Sequence, residues 1–123
     1  MMQDWEAFLT ERRLGVIATT SAAGLPHAVP VELVVDGGAV FVWCRAGSVK
    51  ARNAARSGVA ALVAYKGHSF GLARGKAEVL DAAHPDYARI TQAFLDKYER
   101  DEPYGNDALI KITPQRTVVR SGG

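Results

Sequence analysis

The chain has 123 residues, of which 48% are hydrophobic and 23% are charged, and this composition excludes a disordered or fibrous protein. The length indicates a single domain over residues 1–123, and the net charge of +2 is too small for a general binder of nucleic acid or of membrane surfaces. A single cysteine, Cys44, cannot form an internal disulfide, and no apolar run of about 18 residues exists, so we expect a cytoplasmic protein.

The first part of the chain changes from a helical pattern to strand patterns. Asp4 is a good N-cap for a short amphipathic helix that ends near residue 12. Runs rich in β-branched residues then predict three strands, over residues 14–20, 27–35 and 39–44. The Asp36-Gly37 pair is a strong hairpin signal between the second and third strands, so we expect the three to form an antiparallel meander.

The second part contains two more helices and three more strands. Ser48 as N-cap and Gly58 as a helix stop bound the second helix. Strand patterns follow over residues 59–65, 70–80 and, as one sixth strand, 109–112 with 117–119. Gly71 and Gly75 mark bulges or tight bends, Pro85 suits the first position of the third helix, and Pro114 is a candidate break in the last strand.

The element order is therefore α-βββ-α-ββ-α-β. Six strands joined by short connections in so small a chain predict a mainly β fold, a six-stranded antiparallel barrel with flanking helices. Closure of the barrel or association with a second copy would cover the strand edges.

Basic side chains are concentrated in two segments without any acid among them. They are Arg45, Lys50, Arg52 and Arg56 in the first segment, and Lys111, Arg116 and Arg120 in the second. The first segment coincides with a strand-to-helix junction, where helix-start amides, the Ser48 hydroxyl and the Lys50 charge would suit a phosphate group. The alternative is a surface helix with ordinary basic residues.

Other kinds of site have little support. Cys44 is interpreted as a core thiol, and the three histidines, His27, His68 and His84, lack metal-ligand spacing, so we predict no metal site. No arrangement typical of hydrolases is visible, and no catalytic side chain can be named. Binding of single-stranded nucleic acid needs a basic face that carries many aromatic side chains. The low net charge and the total of only ten aromatic residues argue against this function.

Four segments in this order and spacing resemble one known family, namely Arg13–Thr19, Gly24–His27, Gly47–Asn53 and Gly75–Glu78. The family is the pyridoxamine 5'-phosphate oxidase-like split β-barrel superfamily, which includes F420-dependent oxidoreductases. The resemblance covers Trp5 to Val119, and the Lys50-x-Arg52-Asn53 pattern is most similar to the small F420-dependent branch.

The resemblance implies a homodimer with two equivalent cofactor sites at the subunit interface, the cofactor being coenzyme F420 or FMN. The residues that it places against the cofactor ring are Val29, Pro30, Trp43 and Cys44. It places the cofactor phosphate at Ser48, Lys50 and Arg52, with Asn53 as a further contact or as a tie between helix and sheet. The vitamin B6 oxidases carry a basic residue near the start of the second strand, where this chain has Ala28.

Two functions follow from the resemblance. The first is an F420- or FMN-dependent oxidoreductase that transfers a hydride between the cofactor and a small organic substrate. The second is a non-catalytic binder or carrier of flavin, F420 or haem on the same fold. F420 carries a phosphodiester and a tail of carboxylates, so the two basic segments and the missing basic residue at Ala28 favour F420 over FMN.

Overall fold

The computed structural model describes residues 2–122, so Met1 and Gly123, the ends of the predicted domain, lie outside the described chain. Its elements follow in this order: α1 (Asp4–Thr10), β1 (Gly15–Thr20), β2 (Pro26–Val31), β3 (Val34–Asp36), β4 (Ala39–Cys44), α2 (Val49–Ser57), β5 (Val59–Lys66), β6 (Ser69–Leu80), α3 (Tyr87–Lys97) and β7 (Ala108–Arg120). Within this range no helix is long and apolar enough to cross a membrane.

The strands form one antiparallel sheet in the order β2-β1-β5-β6-β7-β4-β3. The sheet curls into a half-barrel around a buried core, which confirms the predicted mainly β split barrel with flanking helices. The predicted number of six strands is wrong. The single strand expected over residues 27–35 is in fact two strands, β2 and β3, which pair with different neighbours.

The break between β2 and β3 lies at Leu33, whose backbone bonds to side chains of the α3 region. Its N–H donates to the Tyr98 hydroxyl at 2.9 Å, and its carbonyl accepts from Lys97 Nζ at 2.8 Å. Burial, followed by the charges of Arg13 and Arg12, lowers the pKa of Lys97 to about 8. Because both polar groups of Leu33 are satisfied by side chains, the chain can leave one strand and enter another at a buried position.

The predicted meander is wrong beyond its two hairpins. β1 pairs with β2, and β3 pairs with β4 through a two-residue turn in which Gly37 and Gly38 have φ values of 59° and 78°. In the described sheet β2 and β4 are not neighbours, and β4 pairs with β7 instead. A turn fixes only the hairpin that it closes, whereas the order of the sheet also depends on strands distant in sequence.

Two predicted helix starts move by one or two residues. The N-cap of α1 is Gln3 rather than Asp4, and α3 begins at Tyr87 rather than at Pro85. Neighbouring polar residues compete for the capping position, and the ends of a helix commonly vary by one or two residues. For α2 the prediction is confirmed, since Ser48 is the N-cap and Gly58 ends the helix with a φ of 72°.

The core has two parts. The first fills the half-barrel under α1 and α2, where Leu9, Ile17 and Leu62 are fully buried. The second lies between the sheet and α3, where Trp43 stacks on Phe94 with ring centroids 4.7 Å apart. Ile90 and Phe94 of α3 and its C-cap Tyr98 are all buried in this second part.

A third surface stays uncovered, and we call it the outer face. Val16, Val63, Leu72 and Val118 follow one another in register across β1, β5, β6 and β7, and each is only partly buried. Nearby on β5, Tyr65 is 73% exposed. Contiguous apolar surface of this kind marks a place where a ligand or another protein chain binds.

Candidate functional site

A groove of about 630 Å³ crosses the outer face between the end of β1 and the middle of β7. Its volume is within the usual range for small-molecule sites, roughly 300–1,000 Å³. Strands β1, β5, β6 and β7 form most of the groove, and the polar side chains among their lining residues are Thr19, Thr20, Arg74, Gln115 and Arg116.

A β-bulge shapes one wall of the groove. Arg74 pairs with Arg116 but Gly75 pairs with Pro114, so Gln115 is the extra residue of the bulge. The bulge predicted at Gly75 is confirmed, whereas Gly71 pairs with Ala64 and Val119 without a register shift. The break predicted at Pro114 is wrong, because the proline lies at the bulge and β7 continues through it. A Cβ on Gly75 would lie 2.6 Å from the Gln115 nitrogen, so the two backbones approach too closely for a side chain.

The start of α2 combines cations with free backbone donors. The Ser48 hydroxyl accepts from the Ala51 N–H at 3.4 Å, and Lys50 is half-buried while Arg52 is exposed. The first turn of α2 contains no acid, although the helix dipole favours acids there, and α1 carries two. Neither Lys50 nor Arg52 forms an ion pair with another side chain of residues 2–122. Such an arrangement suits an anion from outside the chain.

Cys44 lies directly before this junction and is 2% exposed, which confirms that it is a core thiol. Burial raises the pKa of the thiol, while the neighbouring Ser48 hydroxyl and the Lys50 charge oppose that rise. The Asp107 carboxylate accepts from the Ala46 N–H at 2.8 Å and fixes the loop between β4 and α2. The structure therefore brings Cys44, Ser48 and Lys50 together.

Two side chains connect α2 to the groove. Asn53, 7% exposed, donates from Nδ2 to the Thr19 hydroxyl at 3.1 Å, and Arg56 donates to the carbonyl of Thr20. Both threonines line the groove. A helix rises about 1.5 Å per residue, so Lys50 lies about 9 Å along the axis from Arg56. The start of α2 therefore lies nearly two helical turns from the side chain that contacts the groove lining.

The four residues expected against a cofactor ring lie on different surfaces of the chain, because neighbours in a strand point to opposite faces. Val29 and Cys44 pack in the core of the half-barrel, and Pro30 is exposed beside Val16 on the outer face. Trp43 lies under α3, where its Nε1–H donates to Glu32 at 3.0 Å. Of the four, Pro30 is the residue that lies on the outer face, the face that carries the groove.

Sequence reasoning missed Arg74 and Gln115. Arg116 belongs to the second basic segment, but Lys111 of the same segment lies opposite Glu78, away from the groove. The alternation of β6 between buried and exposed positions indicates that the Arg74 side chain is exposed. Only the pairing of β6 with β7 shows that Arg74 lies opposite Arg116. Within residues 2–122 no group of His, Cys, Asp and Glu side chains is arranged to hold a metal ion.

The chain is similar in sequence to known proteins. A family model for pyridoxamine 5'-phosphate oxidase matches residues 1–120 of the chain. An F420H2-dependent biliverdin reductase of Mycobacterium tuberculosis (strain CDC 1551 / Oshkosh) is 31% identical over 123 aligned positions, which cover 96% of this chain and 87% of that protein.

Two solved structures share the fold. A conserved hypothetical protein of Mycobacterium tuberculosis superposes with a TM-score of 0.80 at 20% identity, covering 97% of this chain and 84% of that one. The haem storage protein HutZ of Vibrio cholerae superposes with a TM-score of 0.77 at 15% identity, covering 92% and 89%. The resemblance drawn from four short segments is thus confirmed over nearly the whole chain, which belongs to the pyridoxamine 5'-phosphate oxidase family.

Proposed function

We propose that the protein is an oxidoreductase that binds F420 or FMN and passes a hydride between this cofactor and a small organic substrate. The observation that carries the proposal is the cationic, acid-free start of α2, a helix whose later residues Asn53 and Arg56 contact the lining of a groove of about 630 Å³. In this proposal Ser48, Lys50 and Arg52 hold the cofactor phosphate together with the first amides of α2. The ring lies in the groove, on the side bordered by β2.

When bound and reduced, such a cofactor supplies two electrons and one proton as a hydride, and the acceptor takes its second proton from solvent. The described lining of the groove offers arginine, glutamine and threonine side chains but no carboxylate, imidazole or thiol. The part of the protein is therefore to orient both reactants, exclude water and complement negative charge. Biliverdin, for which the 31% identical relative is named, is the first acceptor to test.

We further propose a homodimer in which the outer faces of two copies meet. The row of Val16, Val63, Leu72 and Val118 is apolar and only partly buried, so a second copy would remove it from water. The partner would also cover the open side of the groove. Sedimentation equilibrium at micromolar concentration should give about twice the chain mass of 13.2 kDa, and a monomer would contradict this assembly.

F420 should bind more tightly than FMN, and its binding should weaken as salt rises. F420 carries more negative charge than FMN, and screening by salt reduces attraction to exposed cations. The measurement is an equilibrium titration with each cofactor at two salt concentrations. A tighter constant for FMN, or F420 binding that is independent of salt, would contradict the preference.

The second candidate function is a non-catalytic carrier, which the lack of a proton-transfer side chain in the described groove also suits. The two functions differ in turnover. An enzyme should oxidise reduced F420 in the presence of biliverdin, with loss of the biliverdin absorption, whereas a carrier should bind its ligand without consuming reduced cofactor.

A further inference from the structure

Two arginines face each other across the β6–β7 ladder at the wall of the groove. Arg74 and Arg116 are direct partners in the register, and both are exposed. Side chains in such positions have Cβ atoms about 4.5–5.5 Å apart, and like charges there destabilise the sheet. Neither guanidinium forms an ion pair with a carboxylate of residues 2–122.

The same ladder contains an ordinary charged pair for comparison. Glu78 lies opposite Lys111, and Glu78 is also 3.9 Å from the Lys76 ammonium. Opposite charges facing each other stabilise a sheet. At the bulge the ladder instead presents two like charges, so an anion bound between Arg74 and Arg116 would remove a repulsion that the described chain leaves uncompensated.

The surroundings define what kind of anion fits. Gln115, the extra residue of the bulge, lines the groove beside the two arginines and adds an amide donor. Next to Arg74 in the register are Ala61 and then Ala18, which give the groove an apolar floor. A guanidinium binds a carboxylate through two parallel hydrogen bonds.

We propose that Arg74 and Arg116 together bind a carboxylate of a ligand that lies in the groove. For the identity of that ligand the inference rests on the proposed function. The carboxylate belongs either to the substrate or to the tail of F420, and the same chemistry serves both.

The test compares Arg74→Gln, Arg116→Gln and the double variant with wild-type protein in equilibrium titrations. The probes are biliverdin, which carries two propionates, its dimethyl ester, F420, and FMN, which has a phosphate but no carboxylate. Lys66→Gln is the matched control, because Lys66 is an exposed cation at the far end of β5 and does not line the groove. Thermal unfolding followed by circular dichroism verifies that each variant is folded.

Each single variant should weaken the binding of at least one carboxylate ligand by about tenfold, the effect of losing a charge-assisted contact. The ester, FMN and the Lys66→Gln protein should show less than a twofold change. Loss confined to biliverdin assigns the site to the substrate, and loss confined to F420 assigns it to the cofactor tail.

Three results would overturn the assignment. One is unchanged binding of both biliverdin and F420 by the double variant. Another is an equal loss for the ester or for FMN, and the third is a wild-type protein that binds neither carboxylate ligand. The biliverdin titration contains no cofactor, so a loss of biliverdin binding supports this inference even if the proposed cofactor site at Lys50 proves wrong.

Discussion

Replacing Gly75 with alanine should destabilise the fold by about 3 kcal/mol, the upper end of the usual cost of overpacking. The new Cβ would lie 2.3 Å from the Thr113 carbonyl oxygen and 2.6 Å from the Gln115 nitrogen. Both atoms belong to the backbone of β7, which cannot move aside as a side chain can. Urea unfolding followed by circular dichroism measures the change in the free energy of unfolding.

Gly47→Ala is the matched control for this stability measurement. A Cβ at Gly47 would meet no atom within 4 Å, so the variant should stay within about 0.5 kcal/mol of wild type. If Gly75→Ala unfolds at the same urea concentration as Gly47→Ala, the close approach of the two strands at the bulge is wrong.

Lys50→Ala should weaken the binding of F420 and of FMN by about 1.5–3 kcal/mol, which corresponds to roughly tenfold to 150-fold. The stability of the fold should change little. A cation in the first turn opposes the helix dipole, and Lys50 has no ion-pair partner among residues 2–122. Fluorescence titrations give the affinities, and urea unfolding gives the stability.

Lys66→Ala serves as the control for that measurement, because it removes one positive charge from an exposed position far from α2. Its cofactor affinities should equal those of wild type within about twofold. Equal affinities of Lys50→Ala and Lys66→Ala would show that the phosphate is held elsewhere. A large loss of stability in Lys50→Ala would instead show a structural role for this side chain.

The features that sequence predicted correctly depend on a few adjacent residues. Ser48 and Gly58 bound α2 because an N-cap hydroxyl and a left-handed glycine act within one helical turn. Gly75 marks the bulge for a similar reason, since only glycine permits the contact seen there. The basic start of α2 could likewise be read from one short segment.

The features that sequence missed depend on pairing between distant segments. Arg74 and Arg116 become neighbours only through the register of β6 with β7. The surroundings of Trp43 likewise depend on the helix that covers it, since the alternation of β4 turns it towards Phe94 of α3, away from the core that holds Cys44. A strand pattern does not specify which partner it meets or which of its two faces a helix covers.

The two prolines of β2 restrict how copies of this chain can associate. β2 is an edge strand, and a proline is tolerated in such a strand where its missing N–H faces away from the neighbouring strand. Along Pro26, Ala28 and Pro30, which share one side of the strand, two outward donors are therefore missing. The opposite edge, β3, has only three residues, so neither margin offers a template for adding strands from another molecule. Two copies can therefore associate through the broad face of the sheet, whereas aggregation by strand pairing is disfavoured at both edges.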